Sequence, residues 1–157
     1  MNPLNISIVI SAKNEANKIS SLLTSLKNVD YPMNNFEIIL IDDYSTDQTL
    51  CKATEFKNDI PNLKVIPAQN KKYPGKKGAL DVGISCAAND YILITDADCI
   101  VSSGWLKKYS EQFGQGYDVL FGNAPFIIKP GIVNAISRFE NLRTFFLYIT
   151  ACKLHFP

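Results

Sequence analysis

The sequence predicts an α/β domain, a three-layer sandwich whose mostly parallel sheet is covered by helices on both faces. Three observations predict it. Short β-branched runs alternate with segments of helical periodicity along the chain. Those runs scarcely alternate apolar with polar residues, as strands buried on both faces do. Polar residues capable of chemistry gather where the runs end, which is where ligands bind in open parallel sheets.

The elements follow in order. ISIVIS (Ile6 to Ser11) is the first strand, after which Ile19, Leu22, Leu23 and Leu26 fall on one helical face. FEIILID (Phe36 to Asp42) is the second strand, and STDQTLCKATEFK a helix for which Ser45, Thr46 and Asp47 offer N-cap oxygens. LKVIPA is a third strand, GKKGALDVGISCAA a third helix and DYILITD a fourth strand. SSGWLKKYSEQF is expected to bury Leu106, Tyr109 and Phe113 on one side of a helix, while DVLFGN and APFII read as extended. From Ile132 to about Lys153 apolar residues recur at helical spacing, so the chain is expected to divide into a ligand-binding part, 1–130, and a helix, 131–157.

A chain of 157 residues, 46% hydrophobic and 20% charged, suits one soluble core. A net charge of +1 gives no reason to expect nucleic acid or an anionic membrane as a default partner. Cys51, Cys86, Cys99 and Cys152 form no CxxC pair, and with the single His155 they make no recognisable zinc spacing. They read as reduced thiols of a cytoplasmic protein. MNPLN lacks the basic start of a signal peptide, and the apolar run TFFLYITAC is too short to span a bilayer.

The chemistry gathers at the strand ends: Lys13-Asn14-Glu15 after the first, Asp42-Asp43 after the second, Asp96 and Asp98 after the fourth. A lone DxD is more often a solvated turn. Carboxylates at several strand ends above one sheet point instead to a cleft. Residues two apart on extended chain share a face, so Asp96 and Asp98 supply hard oxygens suited to Mg²⁺ or Mn²⁺, with phosphate oxygens and water completing the shell. Asp42 or Asp43 can accept from a base N–H or a ribose hydroxyl. Lys76, in the glycine-bounded loop YPGKKGAL that opens a helix, suits a phosphate. Neither GxxxxGK[ST] nor GxGxxG is present.

ISIVISAKNEANKISSLLTSL, EIILIDDYSTDQT, GKKGALDVGI and YILITDADCIV resemble, in order and spacing, the motifs of the family 2 glycosyltransferases. The resemblance runs from about Ile6 to Val101 and more loosely beyond. It implies the GT-A fold, Rossmann-like, and inverting transfer from a nucleotide-sugar, UDP-linked by the family's lean. It implies that Ala12, Asn14 and Glu15 border the nucleoside, that Asp42 or Asp43 contacts the base or ribose, and that Lys76 lies near the nucleotide. Asp96 would contact the ribose or metal, and Asp98 would ligate the metal on the diphosphate. Three positions depart from the pattern: Ala12 where many relatives have proline, Tyr44 where glycine is frequent, and Asp81 where asparagine is usual.

The family's general base, an aspartate in an ED-type motif, has no match after Asp98, and Glu140 is the only acidic residue beyond Asp118. The expectation is therefore a nucleotide-sugar half, truncated before its acceptor-binding half and inactive alone, with the base beyond Pro157. Its partners would be a nucleotide-sugar donor and a glycan, lipid or other hydroxyl acceptor, with the full-length protein at the cytoplasmic face of a membrane. Two other readings stand beside it. A sugar-phosphate nucleotidyltransferase would want a glycine-rich basic loop after the first strand, and SAKNEANK has no glycine. A non-catalytic nucleotide-binding or interaction module is compatible with the missing base.

The last helix generates a prediction of its own. Ile132, Val133, Ile136, Phe139, Leu142, Phe145, Phe146 and Ile149 cover more than one narrow face, against three charged residues, Arg138, Glu140 and Arg143. Exposed apolar surface of that extent associates. The expectation is either self-association through this helix or disorder of its last turns, tested by light scattering at micromolar concentration; a clean monomer with a rigid C-terminal helix would show that the core already covers more of it.

Overall fold

Strand β1 (Ile6–Ala12) is an interior strand of the sheet, buried along nearly its whole length. In the computed structural model, which describes residues 2–125, 128 and 130–153 and their side chains through residue 146, two compact units form, Met1–Leu120 and Phe121–Pro157. The first unit continues with helix α1 (Ile19–Lys27), β2 (Phe36–Asp42), α2 (Thr49–Glu55), β3 (Leu63–Pro67), α3 (Gly75–Ser85), β4 (Tyr91–Asp96) and α4 (Trp105–Gly114). The four strands make one parallel sheet in the order β3-β2-β1-β4. The α/β architecture read from the sequence is the one observed.

Burial explains the weak alternation of the strands. All seven residues of β2 are buried, with Ile38 and Leu40 on one face and Ile39 and Ile41 on the other. The first face packs against Ile19, Leu22, Leu23 and Leu26 of α1, Ala53 of α2, and Leu106 and Phe113 of α4. Burying each such aliphatic side chain contributes about 1.5–3 kcal/mol. The second face receives α3 through Ala79 and Val82. Gly83 sits so close to the sheet that a Cβ there would lie 2.5 Å from Val9 Cγ1, so only glycine lets α3 seat.

This distribution follows from handedness. Right-handed crossovers put the helices on one face while the chain steps from β1 to β2 to β3. The return to the far side of β1 puts α3 on the other face. The strand order therefore reverses between β1 and β4. Register sets Ala12 opposite Asp42 and Ser11 opposite Asp96, so the C-terminal ends of β1, β2 and β4 come level at that switch.

Three local readings differ from expectation. Helix α2 starts at Thr49, later than the three candidate caps, because Ser45 and Thr46 bond to the loop after β1 and only Asp47 Oδ1 accepts from Thr49 N, at 2.9 Å. On α4 the buried position is Ser110, whose Oγ accepts from Leu4 N and Tyr31 Oη, while Tyr109 is half-buried edge-on to Trp105. No strand forms among described residues 117–125, where Val119 and Phe121 are exposed; parts of APFII lie outside the described residues.

In the second unit, α5 (Ile132–Lys153) follows Gly131, and Asn141 Nδ2 donates to Ala124 O at 3.4 Å. Among the described residues no helix is long and apolar enough to cross a membrane. Cys51 and Cys86 are exposed free thiols and Cys99 is a half-buried one; the side chain of Cys152 and all of His155 lie outside the described residues.

At the N-terminal edge of the sheet the buried Glu37 carboxylate accepts from Ser7 Oγ and from the Ala88 backbone N–H, each at 2.7 Å, and pairs with Lys64 Nζ at 2.7 Å. Burial pushes this carboxyl up, but Lys64, Ser7 and the Ala88 amide together outweigh it and hold Glu37 below the ordinary glutamate range. A depressed carboxylate gives stability that is complete above the unfolded-state pKa and is lost as pH falls through the folded value. Acid unfolding is therefore expected to draw on Glu37 below about pH 4.3, the ordinary glutamate value. Glu37→Gln should flatten that limb of a pH-dependent urea series. Glu37→Ala should cost about 1–3 kcal/mol at neutral pH, because the Ser7 hydroxyl and Ala88 N–H lose their acceptor.

Candidate functional site

The switch point is built by stitching two loops together. After β1 the chain turns at Asn14, whose φ of 56° is one that asparagine tolerates better than most residues. Asn14 N donates to Ser45 Oγ at 3.0 Å, and Asn14 Oδ1 accepts from Thr46 N at 2.8 Å. Glu15 N donates to Thr49 Oγ1 at 2.8 Å, and Ala16 N to Asp47 Oδ2 at 3.1 Å. Lys52 Nζ closes the seam on Ala16 O at 2.7 Å. The hydrogen bond from Thr49 Oγ1 lowers the Asp47 carboxyl, with the Thr49 and Ala16 amides adding to it against a smaller opposing effect of burial. The polar residues of the DDYSTD segment thus hold the Asn14 loop against the end of β2.

Above that seam each carboxylate meets a lysine, except Asp42. Asp43, 2% exposed, pairs with Lys71, and its own N–H donates to Ala12 O at 2.7 Å, extending the β1–β2 ladder past the strand end. Asp96 accepts from Lys76 Nζ at 2.5 Å, and Asp98 from Lys18 Nζ at 3.3 Å. The hydrogen bond from Lys18 to Asp98, with Glu15 3.6 Å away as a second anion, raises the Lys18 ammonium above its ordinary value. Asp42 is buried; Oδ2 accepts from Ser45 N at 3.3 Å, and Oδ1 takes no hydrogen bond from the described residues.

The structure thus brings Ala12, Asn14, Glu15, Asp42, Asp43, Lys76, Asp96 and Asp98 to one end of the sheet, in different capacities. Ala12 is buried in the core and reaches the site through its carbonyl. Asn14 is occupied as a loop clamp. Asp98 lies in a turn after β4, closed by Cys99 N donating to Asp96 O at 3.2 Å, so its relation to Asp96 is set by the turn and not by the strand pleat. The Asp96 and Asp98 side chains are about half exposed, at 53% and 46%. Among the described residues no group of three or more histidine, cysteine, aspartate or glutamate side chains could hold a metal by itself. Two accessible hard-oxygen donors do fit a Mg²⁺-type ion that takes its remaining ligands from phosphate and water.

A match to the model of the family described as glycosyl transferase family 2 extends over residues 7–154. The chain belongs to that family. Its relatives in the family include a β-monoglucosyldiacylglycerol synthase from Nostoc sp., 36% identical over 64% of this chain and 22% of the relative. Another is the poly(ribitol-phosphate) β-N-acetylglucosaminyltransferase TarS of Staphylococcus aureus, 33% identical over 66% of this chain and 18% of the relative. The chain therefore spans about a fifth of the length of these relatives. Among solved structures, S. aureus TarS 1–349 in complex with UDP-GlcNAc superposes with a TM-score of 0.62 at 31% identity, covering 71% of this chain and 32% of that one. The mannosyltransferase PcManGT of Pyrobaculum calidifontis in complex with GDP-Man and Mn²⁺ gives 0.56 at 26% identity, covering 64% of this chain and 29% of that one.

Sequence reasoning missed Lys71. The loop KKYPGKK holds four lysines of equal appearance, and only the fold separates them. Lys71 reaches Asp43 and Lys76 reaches Asp96, while Lys72 and Lys77 lie over the ring of Tyr73, at 5.3 and 4.4 Å. The one signal available was the pair of conformationally permissive residues around it, Asn70 and Gly75, both at positive φ.

The seam makes Asn14 the residue to test. Asn14→Ala removes the acceptor for Thr46 N and leaves alanine in the left-handed region, a loss of about 1–2 kcal/mol. A urea midpoint shifted down at unchanged slope is the expected result, whereas Lys13→Ala next to it should leave the midpoint in place.

Proposed function

We propose that this chain is the nucleotide-sugar-binding part of an inverting glycosyltransferase, with a UDP-sugar as donor and a glycan, lipid or other hydroxyl compound as acceptor. The observation that carries the reading is the pairing of Lys76 with Asp96 and of Lys18 with Asp98 at the switch point. Such a set matches a metal-bound diphosphate. The aspartates turn to the cation and the lysines to phosphate oxygens, so no charge is left without a counter-charge. The family membership and the neighbours' complexes with UDP-GlcNAc and with GDP-Man and Mn²⁺ support the same reading.

In this reading Asp96 and Asp98 hold Mg²⁺ or Mn²⁺, which when bound supplies Lewis-acid charge to the departing diphosphate. Asp43 accepts from the nucleobase, and the Asn14 seam keeps the β1 and β2 loops rigid around the nucleoside. The acceptor hydroxyl displaces the nucleoside diphosphate in line and inverts the anomeric carbon, giving up its proton to a general base. We do not assign that role to Glu140, which pairs with Arg143 at 2.6 and 3.0 Å on α5. In this reading the base lies outside residues 1–157.

Isothermal calorimetry tests the donor side. UDP should bind in the presence of Mn²⁺ or Mg²⁺ and weaken at least about tenfold with a chelator, as expected when charge-assisted metal contacts are lost. Asp98→Asn should abolish the metal-dependent part of binding while leaving the fold intact. Affinity for UDP that is indifferent to metal in the wild type would sink the assignment of Asp96 and Asp98.

A further inference from the structure

We infer that Lys18 is a positioning residue which holds Asp98 until a diphosphate arrives, so that a divalent cation and a nucleoside diphosphate each bind more tightly in the other's presence. The inference rests on the nucleotide-sugar reading above and adds to it a regulation of the same site.

Lys18 stands where a lysine is locally out of place. It is the N-cap of α1, makes no capping hydrogen bond with its side chain, and brings a positive charge to the positive end of a nine-residue helix. Serine, threonine, aspartate and asparagine favour that position, and cations favour the other end. The first turn is closed instead by the Glu15 carbonyl, which accepts from Lys18 N and Ile19 N, each at 2.9 Å. The Lys18 side chain reaches between two loops. Its Nζ is 3.3 Å from Asp98 Oδ2 in the turn after β4 and 3.6 Å from Glu15 Oε2 in the loop after β1. Lys27, at the far end of the same helix, follows the rule: it sits in the last turn and pairs with Asp59 at 3.2 Å. A residue that breaks a local rule and reaches into a candidate site instead has a use beyond the fold.

The contact has a consequence for Asp98. Among the described residues nothing else is bonded to its carboxylate, so the ammonium is its one partner. A divalent cation arriving alone has to displace that ammonium and then lies beside a like charge. Among the described residues no third histidine, cysteine, aspartate or glutamate joins Asp96 and Asp98 to repay the displacement. A diphosphate changes the balance. Its oxygens give the ammonium a new anionic partner, which frees Asp98, and they complete the shell of the cation. Each ligand thus removes a cost of binding the other, and linkage makes the effect equal in both directions. A neutral side chain at position 18 removes both the competitor and the like charge, so the cation gains access to Asp98 without a diphosphate.

The test is Mn²⁺ binding, followed by electron paramagnetic resonance of the free ion with and without saturating UDP. The proteins are the wild type, Lys18→Met, Lys18→Ser, Lys18→Arg and Lys27→Met, with folding checked by circular dichroism. In the wild type UDP is expected to tighten Mn²⁺ by about tenfold or more, an ordinary coupling between two sites. Lys18→Met should bind Mn²⁺ alone about three- to fivefold more tightly, the upper end of what an exposed ion pair is worth. With UDP present it should show no gain, so the coupling shrinks by the same factor. Lys18→Ser, which supplies a capping oxygen and so preserves the helix start, should behave in the same way. Lys18→Arg, which keeps the charge and the donor, should keep the wild-type coupling. So should Lys27→Met, which removes the same charge from the same helix. Coupling unchanged in both neutral variants of Lys18, or reduced as much by Lys27→Met, overturns the inference and leaves the donor-site reading standing. Wild-type protein that binds Mn²⁺ and UDP without regard to each other overturns both.

Discussion

Burial of the Asp43 carboxylate is the constraint around which this end of the molecule is arranged. A charge removed from water is tolerated only with a counter-charge and hydrogen bonds in place. Lys71 supplies the counter-charge, and to reach Asp43 from beyond β3 it needs the loop 70–75 with its two positive-φ residues and the glycine that lets the Tyr73 carbonyl in. Asp43 in turn is fixed by its own N–H on Ala12 O, so the β1–β2 ladder carries the alignment from the sheet to the site. Displacing any of these parts unpairs a buried ion, which is why they form one unit.

The opposite end of the sheet solves a different problem with similar chemistry. Ser7, Glu37 and Lys64 each occupy the second position of their strand, and Asn89 lies two residues before β4. Its amide and side-chain nitrogen both donate to Ser7 Oγ at 3.2 Å. That network ties all four strand starts together, although Asn62 Oδ1, just before β3, takes no hydrogen bond from the described residues. At the C-terminal end the polar groups are less fully engaged: Asp42 Oδ1 takes no bond from the described residues and the DxD carboxylates are half exposed. A parallel sheet closed at one end and open at the other is what a strand-end binding site requires.

The sequence makes the fold legible where the signal is dense: β1 and β2 are near-continuous apolar runs, the bounds expected for β2 match Phe36–Asp42, and all four apolar positions expected on α1 are buried. The part of the site borne on strand ends was legible for the same reason. What escaped was whatever depends on a loop's path. Ser45 and Thr46 look like helix caps in one dimension and are claimed by Asn14 in three. Asp98 looks like a strand residue two along from Asp96 and lies in a turn. Lys71 cannot be told from its neighbours until the loop folds back on β2.

Lysine pairing at the DxD end has a consequence for how charge is handled there. Exposed pairs such as Lys76–Asp96 and Lys18–Asp98 contribute little to stability, on the order of 0–1 kcal/mol each. Their value lies elsewhere. Two unpaired aspartates a turn apart would repel each other and hold the loop open, and two unpaired lysines would attract any anion. Cross-paired, the four side chains are near neutral and weakly held, so a ligand bearing both signs of charge can replace each partner at small cost. A lone anion or a lone cation would have to break a pair and strand one half of it. In the proposed reading this arrangement selects a ligand by charge pattern, a selection open to it because these pairs are exposed while the Asp43–Lys71 pair is not.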